Sequence, residues 1–309
     1  MIRSGIPLLI TLTLAVSTQQ PRLDQSPHRL KVDVDLVEVN ASVVDSEGRL
    51  VSGLEKENFE VFEDKVQQEI VSFSSEDVPV SVGIILDVSG SMKNELQNAV
   101  QAANTFMKGG NFDDEYFLIE FADRPTVVAD FTRDVARIQI RSAFSKAKGE
   151  TALYDAVYKG LHKLDEASNP KRALLIISDG EDNRSRYTYS TVRDYVKEKN
   201  IQMFAIGISD GWNAYEVEQG QALLRKLAEL SGGNAFFPPS ASDLANICHN
   251  IALELKNQYV MGYHSTNAAK DGEWRKLKVK ASYGKSKLTV RAKPGYYAPS
   301  AEEISNAKN

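Results

Sequence analysis

Residues 81–88, SVGIILDV, form an almost uninterrupted apolar run that ends around Asp87 and opens into Ser89-Gly90-Ser91. Such a run is too short to cross a bilayer and lacks the alternation of a half-exposed strand. It is the pattern of a strand covered on both faces, as in a parallel sheet with helices on either side. Residues 116–121, 173–178 and 201–208 repeat the pattern. Between these runs, apolar residues recur at helical intervals. One set is Met92, Leu96, Ala99, Val100, Ala103, Phe106 and Met107; a second is Leu153, Ala156, Val157, Leu161 and Leu164. A third is Leu244, Ile247, Cys248, Ile251, Ala252 and Leu255. Alternating strands and helices over 80–256 predict an α/β fold with a doubly wound, mainly parallel sheet. Residues 125–131 lie close enough to 116–121 to pair as an antiparallel hairpin.

The flanks have a different texture, and 309 residues leave room for a second, smaller domain. In 30–79, Val32, Val34 and Leu36 alternate with acids; the apolar phase then slips to Val37, Val39, Ala41 and Val43, which predicts a bulge near 36–37 or a strand that crosses between two faces. Asp45-Ser46-Glu47-Gly48 reads as a turn, and strands are expected at 59–62 and 70–73. In 257–298, residues 259–263 form one expected strand; Leu277, Val279 and Ala281 mark another, and Leu288, Val290 and Ala292 a third beyond the turn 283–285. Neither flank is long enough to bury a core alone, so the two are expected to pair into one small β-sandwich with the α/β domain inserted between them.

The first 17 residues carry Arg3, an apolar stretch from Ile6 to Val16, and small residues Ala15 and Ser17 before an expected cleavage, which is the layout of a signal peptide. Residues 18–29 read as a linker and 299–309 as a disordered tail. The protein is therefore expected to be exported, to the periplasm or beyond, and to meet a membrane only through an uncleaved signal segment. Lys plus Arg is 37 against 42 for Asp plus Glu, a net charge of −5 with no long basic run, which argues against nucleic acid as the partner. Cys248 is the single cysteine and falls on an apolar helical face, so it reads as core.

Three polar segments follow the buried runs: Asp87-Val88-Ser89-Gly90-Ser91, Gly149-Glu150-Thr151 and Ser178-Asp179-Gly180. In an open α/β sheet the carboxyl ends of strands at a switch point are where ligands bind. Asp87, Ser89, Ser91, Thr151 and Asp179 together offer two carboxylates and three hydroxyls. This all-oxygen set suits a hard cation such as Mg²⁺ or Mn²⁺ and suits Zn²⁺ poorly. Alone, D-x-S-x-S also serves as a helix cap; the three segments in this order point to a cation. An open coordination position on the ion would attract an outside carboxylate. Glu150, Glu181 and Asp182 should crowd the rim, either as a solvated acidic edge or as a second cation site. Trp212 and Tyr215 are candidate partner contacts, or pack on the helix at 223–230.

DVSGSM, GETALYDA and LLIISDGEDN, in this order, resemble the von Willebrand factor type A domain and its metal-ion-dependent adhesion site. VNASVVDSEGRLVSGLEKENFEVFED and NQYVMGYHS on the flanks resemble a bacterial family of exported proteins related to that domain, first described in acidobacteria. The resemblance implies that Asp87, Ser89, Ser91 and Thr151 bind the metal and that Asp179 binds it directly or through water. It further implies a non-catalytic, adhesive or scaffolding module whose protein partner supplies a Glu or Asp. Two other classes fit the residues less well. A metal-dependent phosphate-ester hydrolase finds no histidine, lysine or arginine in the motifs, no G-x-S-x-G and no phosphate loop. A structural protein without metal binding predicts decayed ligands, and all five are present.

Overall fold

The central apolar run becomes a middle strand of a six-stranded sheet. The computed structural model describes residues 36–209, 213–284 and 286–300. The signal-peptide and linker assignments, Trp212 and the tail beyond 300 lie outside these residues. In chain order, β1 (Leu36–Val44), β2 (Phe59–Glu63), β3 (Val66–Gln68) and β4 (Ile70–Ser74) come first. The middle comprises β5 (Val80–Asp87), α1 (Leu96–Lys108), β6 (Glu115–Phe121), β7 (Pro125–Thr132), α2 (Val135–Ser142), α3 (Leu153–Lys163), β8 (Lys171–Ser178), α4 (Tyr189–Glu198), β9 (Gln202–Gly207), α5 (Ala214–Leu230), β10 (Ala235–Phe236) and α6 (Leu244–Lys256). The chain then adds β11 (Tyr259–His264), β12 (Trp274–Ala281), β13 (Thr289–Ala292) and β14 (Gly295–Tyr297).

The large sheet runs β10-β9-β8-β5-β6-β7, parallel throughout except for the β6–β7 hairpin. Every residue of β5 is buried, because helices cover both faces. On one face Val82, Ile84 and Leu86 pack with α1 and α6; on the other Ile85 packs with α3, α4 and α5. From β5 the chain moves to β6 and β7 on one side, then crosses to β8 on the other. The switch point therefore falls at the carboxyl ends of β5 and β8. Met92 is buried as expected but lies in a 3-10 turn, Gly90–Asn94, so the helix expected to start there begins at Leu96. Cys248 is fully buried in the α6 core contact, and burial pushes its thiol up to about 12. No described helix is long and apolar enough to cross a membrane.

The flanks interleave. One sheet orders β13-β1-β11-β4 and the other β14-β12-β2-β3, so each combines strands from both ends of the chain. Val39, Ala41, Val43, Val61, Met261 and Tyr263 fill the core between them. The apolar phase through Val39 and Val43 is the one that faces inward. The expected bulge near 36–37 does not form: β1 pairs with β11 without a slip from Leu36–His264 to Ala41–Tyr259. The register shift falls instead at Gly262/Tyr263 against β4, where Val71 is the extra residue.

Helix α6 is tied to this sandwich through a buried acid. Glu254 accepts hydrogen bonds from Ser42 Oγ (2.6 Å) and Arg291 Nη1 (2.9 Å), one residue from each flank. Removing the carboxylate strands two polar partners, and Arg291 keeps some water contact. Glu254→Ala is therefore expected to cost about 2 kcal/mol and Ser42→Ala about 1 kcal/mol, read as lower urea midpoints at unchanged denaturant slope.

Candidate metal centre

Asp87 is the last residue of β5 and is wholly buried. Its Oδ1 accepts from Ser89 N–H (2.9 Å) and its Oδ2 from Ser178 Oγ (2.6 Å). Ser89 and Ser91 hold their hydroxyl oxygens 2.9 Å apart, within hydrogen-bond distance. This first loop is bonded to the second: Gly90 N–H donates to Gly149 O and Lys148 N–H to Val88 O, both at 2.9 Å. The second loop is bonded to the third around Thr151. Its N–H donates to Asn183 Oδ1 (2.8 Å), and its carbonyl accepts from Asn183 N–H (2.9 Å) and Arg184 N–H (3.0 Å). Asp179 accepts from Glu181 N–H (3.0 Å) and lines, with Ser91, a cleft of about 60 Å³. The three segments thus meet at one edge, each fixed by backbone bonds to its neighbour.

Ser178 was read only as the end of a strand, yet its hydroxyl joins the first loop to the third, donating to Asp87 and accepting from Gly180 N–H (3.0 Å). Its signal was a hydroxyl closing an otherwise apolar run. Asn183 and Asp123 were also missed. Asp123 Oδ1 accepts from Glu150 N–H (2.9 Å) and its carboxylate lies where a side chain at Gly149 would stand. Nothing local in the sequence marks either residue.

Backbone approach explains two glycines. Gly180 has φ +87°, and a Cβ there would sit 2.4 Å from the carbonyl oxygen of Gly220. A Cβ on Gly220 would in turn sit 2.3 Å from the carbonyl oxygen of Asp179. Helix α5 therefore lies directly against the Asp179 loop.

The electrostatics are unbalanced. Burial pushes the Asp87 carboxyl up to about 7; the charge of Asp179 adds to this, and the bonds from Ser178 and Ser89 oppose it. Among the described residues no Lys or Arg forms an ion pair with Asp87 or Asp179. A buried carboxylate facing a second one lacks a counter-charge. The donors present, carboxylates and hydroxyls with no sulfur or imidazole, fit a hard divalent cation.

The rim acids behave differently from the core pair. Glu150 pairs with Arg184 (3.2 Å). Asp182 Oδ1 accepts from Tyr154 N–H (3.2 Å) and Ser185 Oγ (2.5 Å), capping α3, and burial raises its carboxyl. Among the described residues no three His, Cys, Asp or Glu side chains gather as a ligand group. Tyr215 stands 69% exposed in the first turn of α5.

A doubly wound sheet with polar loops gathered at its carboxyl edge defines the general class. Residues 81–250 match the von Willebrand factor type A domain, more than half of the chain, and the protein belongs to that family. Several solved structures are similar to this chain. A von Willebrand factor type A protein from Catenulispora acidiphila superposes with a TM-score of 0.50 at 14% identity, covering 89% of this chain and 76% of that one. The protein BatB from Bacteroides thetaiotaomicron gives 0.46 at 18% identity, covering 57% and 99%. The corresponding domain of the type V pili tip protein Mfa5 from Porphyromonas gingivalis gives 0.46 at 12%, covering 57% and 95%. No curated protein matches in sequence.

Contact between α5 and the Asp179 loop is open to test. Alanine is the better helix former by about 1 kcal/mol, but overpacking costs about 1–3 kcal/mol. Gly220→Ala is therefore expected to lower the thermal midpoint in EDTA; a rise would mean that α5 moves freely off the loop.

Proposed function

We propose that this protein is an exported, non-catalytic binding module that holds Mg²⁺ or Mn²⁺ and uses it to take a Glu or Asp of a protein partner. Asp87, Ser89, Ser91, Thr151 and Asp179 supply the oxygen donors. The observation that carries the reading is the buried Asp87 beside Asp179, cross-bonded among three loops and without a basic partner among the described residues. Two acids and three hydroxyls fill five positions of an octahedral ion, which leaves a sixth for an oxygen ligand from outside. Ser178, Asn183 and the Gly180–Gly220 contact hold the donor loops in place before any ion arrives, so binding need not order them. Family membership supports the same reading, and export rests on the first 17 residues.

Thermal unfolding tests it. With a dissociation constant of ~0.1 mM, ~10 mM Mg²⁺ would stabilise by about 2.7 kcal/mol, a rise of roughly 5–10 °C over EDTA. Asp87→Ala should abolish the rise. Asp179→Asn should lose most of it while leaving the EDTA form no less stable, because it relieves repulsion on Asp87. A wild-type protein that ignores both cations would reduce the cluster to a helix cap.

A further inference from the structure

Two concavities meet beside the donor loops. One is the small cleft that holds Ser91 and Asp179. The other is a groove of about 610 Å³ walled by Tyr154, Tyr189 and Leu223, with Lys226 also on its lining. Glu181 and Glu216 line both, so they stand where one opens into the other. The groove is built on fixed parts. Gly220 of α5 touches the backbone of Asp179, Asp182 caps α3 at Tyr154, and buried Asp155 holds the N–H groups of Arg186 (2.9 Å) and Tyr187 (3.0 Å). Glu216 and Lys226 are ten residues apart on one helix, about 15 Å along its axis, which matches roughly four or five residues of extended chain.

We propose that this groove takes an extended segment of the partner protein, with a defined charge order. The segment's acidic residue reaches the cation. A Lys or Arg close to it in sequence meets Glu181 and Glu216. An aromatic or aliphatic side chain then packs against Tyr154, Tyr189 and Leu223. The charge order follows from the junction, where carboxylates on the lining of both concavities repel a second acid and attract a base. The apolar position follows from the walls beyond it, since aromatic side chains supply most of the contact energy in such surfaces. A groove of this volume is also within the range that encloses several side chains. The inference rests on the cation reading above and specifies its partner.

Selection of a random linear-peptide library on the immobilised full-length protein in Mg²⁺ tests it. The expected consensus pairs an Asp or Glu with a Lys or Arg a few positions away and an aromatic or aliphatic residue beyond. The selected peptides should bind Glu181→Lys/Glu216→Lys at least about tenfold more weakly, with a flatter salt dependence, and selection on that variant should replace the base with an acid. Its Mg²⁺ thermal shift should persist at raised Mg²⁺, needed because the added lysines stand beside the cation cleft, which shows that it is folded and loaded. A consensus without the base, indifference to the charge reversal, or no selected peptide from a protein that shows the Mg²⁺ shift would each overturn the groove assignment. Absence of the Mg²⁺ shift in the wild type would instead overturn the cation reading itself.

Discussion

Asp87 sits at the end of a strand buried along its whole length, and it is an acid. Taking a carboxylate out of water is expensive unless its oxygens find donors and its charge finds a partner. The structure supplies the donors from Ser89 and Ser178 but places a second carboxylate, Asp179, nearby. Ordinary core packing would not keep this arrangement, since a neutral side chain would satisfy the same hydroxyl at lower cost. The surrounding loops make sense as the means of holding it. Each is bonded to the next through main-chain groups, so that a shift at Thr151 would disturb Asn183 and a shift at Gly149 would disturb Gly90.

That framework depends on the sheet as much as on the loops. The chain leaves β5 on one side and returns to β8 on the other, which puts the switch point at their carboxyl ends. Ser91 and Asp179 line a small cleft there. Helix α5 closes one side of it at van der Waals limits, through two glycines that admit no side chain. Rigid backbone under a small group of polar atoms is the arrangement in which donor positions are set by the fold before a ligand arrives.

Much of this was legible in the sequence. The buried run 81–88, the helical faces of α1, α3 and α6, and the order of the three polar segments each follow from strong local patterns. The elements that escaped are those whose local signal is thin. Helix α4 buries only Val192 and Val196, and α2 only Ile138 and Ser142, too few apolar positions to declare a period. Strand β3 has three residues and a single buried side chain, Gln68. The phase slip near Leu36 has no bulge behind it among the described residues: β1 pairs with β11 without a shift from Leu36 onward and buries Val39, Ala41 and Val43 of the later phase, while Val32 and Val34 lie outside the described residues. In the site, residues that carry donors to the loop's own motif were readable; Asn183 and Asp123 act on segments about 30 residues away, through contacts that only the fold creates.

The position of the sandwich follows from where the chain enters and leaves the large sheet. It enters at Val80, whose N–H is held by Asp114 just before β6, at the amino edge of the sheet (2.9 Å). It leaves through the end of α6, where the Leu255 carbonyl accepts a hydrogen bond from Lys171 at the start of β8. Entry and exit are therefore neighbours on the edge opposite the donor loops. This is why the two flanks, far apart in sequence, can share sheets: β1 slots between β11 and β13, and β2 pairs with β12. It also explains the burial of Glu254 near the last turn of α6, where a carboxylate can reach Ser42 and Arg291 at once. A module built this way is held at one edge and open at the other. The donor loops, the cleft and the α5 groove all lie toward the edge that the sandwich leaves uncovered.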